Sequence, residues 1–180
     1  MIISKEVPPG WDYNPSTWSH RLPLIFVALL GFSIASYLSL YQLKIIDHVR
    51  EPFFGNGSKE VLHSFVSKML PVPDSLVGAL SYFIDIIACL AGDETRWKTK
   101  PWIVVFLGLA AIMFALCSIA LFTIQAAVIH AYCTLCICSA LISLLFVWPA
   151  TAEGRAALQY LKTFKGSNFF WKAFWGTRNL

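Results

Sequence analysis

Of five cysteines, at positions 89, 117, 133, 136 and 138, one pair has a spacing suited to chemistry. Cys133 and Cys136 form a C-x-x-C within HAYCTLCICSALISLLF. On the first turn of a helix this spacing puts both sulfurs on one face. The helix dipole and unpaired N–H groups there favour the thiolate, the form that attacks a disulfide. Such a pair would cycle between dithiol and disulfide. Spacing alone leaves open that two cysteines simply fell this way in a cysteine-tolerant membrane helix. Metal binding competes, because His130 lies three residues before Cys133 and Cys138 lies two after Cys136. Three-residue steps on a helix drift by about 60° each, and Cys138 points elsewhere. No second C-x-x-C completes a tetrahedral set, so no metal site is assigned. Cys89 and Cys117 stand singly among Ile, Leu and Ala and read as buried packing. Cys138 sits roughly 200° round the helix from Cys136 and reads the same way.

The elements that position this pair are apolar helices. Of the 180 residues, 57% are hydrophobic and only 13% charged, too little charge to cover a soluble surface. Four stretches fit the thickness of a bilayer: Leu22–Leu43, Ser75–Gly92, Trp102–Gln125 and Tyr132–Pro149. The second carries Asp85 and is only just long enough. The last two adjoin without Gly or Pro and are separated on length, since one helix over 102–149 would overrun any bilayer. The expected fold is all-α, a polytopic membrane protein with a four-transmembrane-helix bundle over 22–149. Residues 1–21 are polar and read as an N-terminal arm rather than a cleavable signal peptide; 150–180 form a basic, aromatic tail.

Orientation follows the basic residues. Lys5, Arg21, Arg96, Lys98, Lys100, Arg155, Lys162, Lys165, Lys172 and Arg178 put ten of the 14 on one side. Both termini are therefore expected in the cytoplasm, of a bacterial inner membrane in this reading, and the cysteine pair on the opposite face. The formal charge of +4 reflects this asymmetry and calls for no nucleic acid. The extracytoplasmic loop 44–73 holds KEVLHSFVSKML, where Val61, Leu62, Phe65, Val66, Met69 and Leu70 share one helical stripe. A short surface helix over about 58–70 is expected, with Ser58 as its N-cap and Asp74 capping the second span. It would seal the bundle end or act as a lid over a ligand.

The order and spacing of GFSIASYLSLY, GSKEVLHS, VPDSLVGALSYF and YCTLCICSALIS resemble the vitamin K epoxide reductase family from about Leu22 to Pro149. That family couples disulfide chemistry to a quinone inside a four-helix membrane bundle. The resemblance implies that Cys136 is the sulfur nearest the quinone. It implies that Cys133 exchanges with a shuttle pair of loop cysteines, which in turn serve a thioredoxin-like partner. Here those shuttle positions fall at Ser58 and near Arg50, so the shuttle pair is missing. The family's amide and tyrosine contacts to the quinone fall at Asp74 and Ala140; alanine has no donor, and neither does an ionised aspartate. Asp74, Val77, Tyr82 and Leu121 are the implied lining of a quinone pocket, for a ubiquinone or menaquinone type of ring.

Asp85, a carboxylate within an apolar helix, is a functional candidate for proton delivery, although it reads as lying toward the cytoplasmic end, away from Cys136. Ala28, Gly31 or Phe32, Ala35 and Ser39 form a smooth ridge for close helix packing. Phe169, Phe170, Trp171, Phe174 and Trp175 among basic residues fit anchoring at the lipid bilayer surface or docking onto a larger membrane complex. Two functions follow. One is a quinone-linked thiol–disulfide oxidoreductase served by a separate thioredoxin-like protein. The other is a non-catalytic relative acting as a small structural subunit of a membrane complex.

Overall fold

The computed structural model describes residues 7–50, 52–55, 57–64, 72–164 and 170–176. Among these, every regular element is helical. They are α1 (Trp18–Gln42), α2 (Gly57–Leu62), α3 (Asp74–Leu90), α4 (Arg96–Thr99), α5 (Pro101–Ile124), a π-helical turn (Gln125–Ile129), α6 (Thr134–Lys162) and α7 (Phe170–Trp175). Three helices are long and apolar enough to cross a membrane: α1, α5 with its π-helical extension to Ile129, and α6. At 17 residues α3 is shorter than these.

The long helices pack as two antiparallel pairs. In the first, Gln42 of α1 meets Asp74 and Ser75 at one end of α3, while Arg21 reaches the Cys89 carbonyl at the other. Ala28, Gly31, Ala35 and Ser39 are all buried along this seam, as their small size anticipates. A Cβ at position 31 would overlap the Tyr82 ring, so glycine there is what lets the ring lie flat against α1. In the second pair, a Cβ at Gly108 of α5 or Gly154 of α6 would press on the opposite helix's backbone. Leu24, Tyr82, Ile86, Leu107 and Phe146 fill the space between the pairs. The outward residues stay apolar, among them Phe106, Leu109, Met113 and Leu116 on α5 and Leu141, Leu145 and Trp148 on α6. Water would not tolerate so continuous an apolar surface, whereas hydrocarbon does.

At the end of the bundle away from the C-x-x-C, two fully buried arginines converge on the C-terminus of α3. Arg21 donates from Nε to the Cys89 carbonyl at 2.7 Å and from Nη1 to Gly92 at 2.9 Å. Arg96 donates to the carbonyls of Ala88 at 2.6 Å and Ala91 at 3.0 Å. These carbonyls lie where a helix runs out of its own N–H donors, so cations suit the negative end of the dipole. Arg96 also forms a two-point ion pair with buried Glu153 of α6, which accepts from Ser16 as well. The N-terminal arm is thereby drawn into the base, with Asn14 Nδ2 donating to the Glu94 carbonyl at 2.9 Å.

Several boundaries differ from expectation. The last long helix does not stop at Pro149 but runs on to Lys162. Proline withholds one N–H from a helix and does not by itself end it, and Thr151 Oγ1 donates to the Val147 carbonyl at 2.7 Å just beyond. The loop helix is described from Gly57 to Leu62; Phe65, Val66, Met69 and Leu70, in the rest of the expected 58–70 span, lie outside the described residues. Ser58 lies inside that helix, one residue past its start, and Asp74 is the first residue of α3, after Pro73 at its N-cap. Cys89 is buried as expected, but Cys117 is exposed. The chain reverses between α5 and α6 through His130, whose φ of 54° is left-handed.

Candidate redox site and its cavity

Cys133 is the N-cap of α6, and Cys136 lies in the helix's first turn, with 5.2 Å between their Cα atoms. The two are joined in a disulfide. The Cys136 N–H donates to the Cys133 sulfur at 3.2 Å, so one of the N–H groups that a helix start leaves unpaired is met by sulfur. The Cys133 N–H in turn donates to Gln125 Oε1 at 3.4 Å, across the reversal from the π-helical turn. That turn carries the helix end inward and delivers Gln125 to the cysteines.

The two sulfurs face different surroundings. Cys133 is fully buried, and Ser58 Oγ donates to its sulfur at 3.2 Å. Gly57 makes this approach possible, because a Cβ there would collide with the Tyr132 carbonyl. Cys136 instead lines a cavity of about 420 Å³. This is the size class of small-molecule sites, which are largely apolar with a few placed polar groups. All four sequence-derived lining residues, Asp74, Val77, Tyr82 and Leu121, border that same cavity, as does Ala140. Val61, Leu62 and Ser64 border it from the loop side.

The polar groups around the cavity are mostly engaged by the protein. Gln42 Nε2 donates to Asp74 Oδ1 at 2.6 Å, and Ser75 Oγ donates to Gln42 Oε1. Tyr82 Oη donates to the Ser139 carbonyl at 2.8 Å and lies 2.8 Å from Ser143 Oγ and 3.2 Å from Ser139 Oγ. Asp85 differs. It is 4% exposed, borders the cavity, and has no hydrogen-bond partner among the described residues. It lies toward the end of α3 away from the cysteines, as expected, and the cavity that Cys136 borders reaches down to it between the helices. Ser139, Ser143 and Gln125 were not singled out in the sequence. Ser139 and Ser143 follow Cys136 by three and seven residues, the spacing of one helical face, so that signal was present.

Residues 22–151 match the model of the vitamin K epoxide reductase family. The chain belongs to the vitamin K epoxide reductase family. With its apolar helices, this makes it an integral membrane protein. No curated protein matches the chain. Ser58, where the resemblance implies a shuttle position, carries the hydroxyl that donates to the Cys133 sulfur.

Proposed function

We propose that the protein is a quinone-linked thiol–disulfide oxidoreductase in which Cys133 and Cys136 cycle between disulfide and dithiol. The observation that carries this reading is the asymmetry of the pair. One sulfur opens on an apolar cavity large enough for a ring, and the other faces the loop through which protein thiols would arrive. In this reading α3 completes a four-span bundle, since 17 residues at 1.5 Å each cover roughly 25 Å of a 30 Å core and tolerate local thinning. The termini are cytoplasmic, the membrane is a bacterial inner membrane, and the ring is of the ubiquinone or menaquinone type.

Ser58 cannot form a disulfide, so electrons reach Cys133 from a separate thioredoxin-like protein. Cys133 is fully buried, which requires α2 to swing away from Tyr132 during that exchange. The test is a single turnover. Reduced protein in mild detergent is mixed with a short-chain ubiquinone and the ring's absorbance followed. Stoichiometric quinone reduction supports the reading, and no reduction by a fully reduced pair rejects it.

A second reading, a non-catalytic subunit of a larger membrane complex, draws on α7. Trp171 and Trp175 are exposed there, and the helix is fixed to the bundle base, with the Trp175 and Trp102 rings 5.9 Å apart. Stoichiometric co-purification of other membrane subunits from native membranes, with an inert cysteine pair, would favour it.

A further inference from the structure

A line of polar side chains runs down one wall of the cavity from the disulfide to Asp85. Cys136, Ser139 and Ser143 succeed one another on α6, roughly a helical turn apart, and all three border the cavity. Tyr82 of α3 bridges the two serines through its hydroxyl. Asp85 stands about one turn beyond Tyr82 on α3 and borders the same chamber. Beyond Asp85 the next charged groups are Arg21, Arg96 and Glu153. Their partners are carbonyls at the end of α3, Ser16 and one another. Among the described residues, Asp85 is a buried carboxyl without a hydrogen bond, while the polar groups on both sides of it are satisfied.

A carboxyl held in an apolar chamber without a partner is costly unless it serves the chamber's contents. The proposed reaction supplies a need for it. When the dithiol becomes a disulfide, the S–S bond forms and two electrons pass to the ring. The ring takes two protons to become a hydroquinone. The oxygen beside Cys136 receives one directly from a thiol. The oxygen on the far side of the ring lies away from the redox pair and needs its proton from another group that borders the cavity.

We propose that Asp85 is the proton source for that far oxygen, from its place on the wall of the same cavity. A proton moves from the Asp85 carboxyl to the ring. The second thiol gives its proton to solvent, and Asp85 recovers one from solvent. Over a full turnover two thiol hydrogens are lost and two ring oxygens are protonated, so the balance closes. In the reverse direction Asp85 accepts the proton. This inference rests on the redox reading of the same cavity and assigns the proton route within it.

The test compares two electron acceptors on the full-length, pre-reduced protein. Short-chain ubiquinone needs protons; ferricyanide takes electrons alone. Asp85→Asn is expected to slow ubiquinone reduction by about a hundredfold or more, the usual scale of lost general-acid catalysis. Oxidation by ferricyanide and the affinity for ubiquinone should stay at wild-type values. Asp85→Leu should be at least as heat-stable as the wild type, because the carboxyl it removes holds no protein partner. Equal ubiquinone rates in wild type and Asp85→Asn overturn the proton route and leave the redox reading standing. Equal slowing with both acceptors, or a marked loss of heat stability in Asp85→Leu, makes Asp85 structural and also overturns it. A wild type that reduces ferricyanide but never ubiquinone overturns the redox reading and this inference with it.

Discussion

The base of the bundle and the cavity above it both bury polar groups, and they treat them differently. At the base, Arg21, Arg96 and Glu153 are as buried as any residue in the protein, yet each charge is met by carbonyls, a carboxylate or a hydroxyl. In the cavity that opens above the base, Asp85 and Cys136 border the same void. A network closed on itself holds helices in register. A polar group left facing an apolar cavity is held ready for something that enters. The contrast separates the structural polar groups from the functional ones, which a tally of buried charges would not.

That contrast can be broken at either end. The largest effect is expected at the cysteines, where Cys133→Ser or Cys136→Ser should abolish quinone-dependent oxidation outright while the protein still folds. At the base the order reverses. Glu153→Ala leaves Arg96 buried with its carboxylate gone and should cost about 3–5 kcal/mol, measured by thermal unfolding in detergent. Unchanged stability there would mean that the network is not what holds α3 against α6. Between the two ends, Gly31→Val drives a side chain into the Tyr82 ring and should cost about 1–3 kcal/mol. It should also weaken ubiquinone binding, because the displaced ring borders the cavity.

Ser58 sharpens the comparison further. Ser58→Cys places a thiol against the Cys133 sulfur, and non-reducing peptide mapping should find a 58–133 disulfide in a share of the molecules. Its absence would mean that α2 does not sit where the Ser58 contact puts it. Ser58→Ala has the smallest effect, about 1 kcal/mol for one lost hydrogen bond, read as a slight fall in melting temperature.

Much of the architecture could be read from the residues. Apolar run length marked α1 and the α5–α6 region, and the small-residue ridge on α1 marked a close-packing face without naming α3 as its partner. Length alone separated α5 from α6, since no Gly or Pro marks the break. The structure makes that turn with a π-helical segment and a left-handed His130, which local propensity does not announce. Pro149 misled because a proline within an otherwise continuous helix can be accommodated. The C-x-x-C stood out, and the pocket residues came from the family resemblance. Glu153 did not stand out, because its meaning depends on Arg96, 57 positions earlier, being folded against it. That the cavity reaches Asp85 did not stand out for the same reason: a cavity is made by helices that are distant in sequence.

The most direct measurement counts thiols. Purified protein is reduced, exposed to a soluble quinone analogue, and alkylated, and the groups added at Cys133 and Cys136 are counted by mass. The account predicts that both become blocked after quinone and free again after a dithiol reductant, with Cys89, Cys117 and Cys138 unchanged. Thiols at 133 and 136 that stay free in the presence of quinone would contradict it.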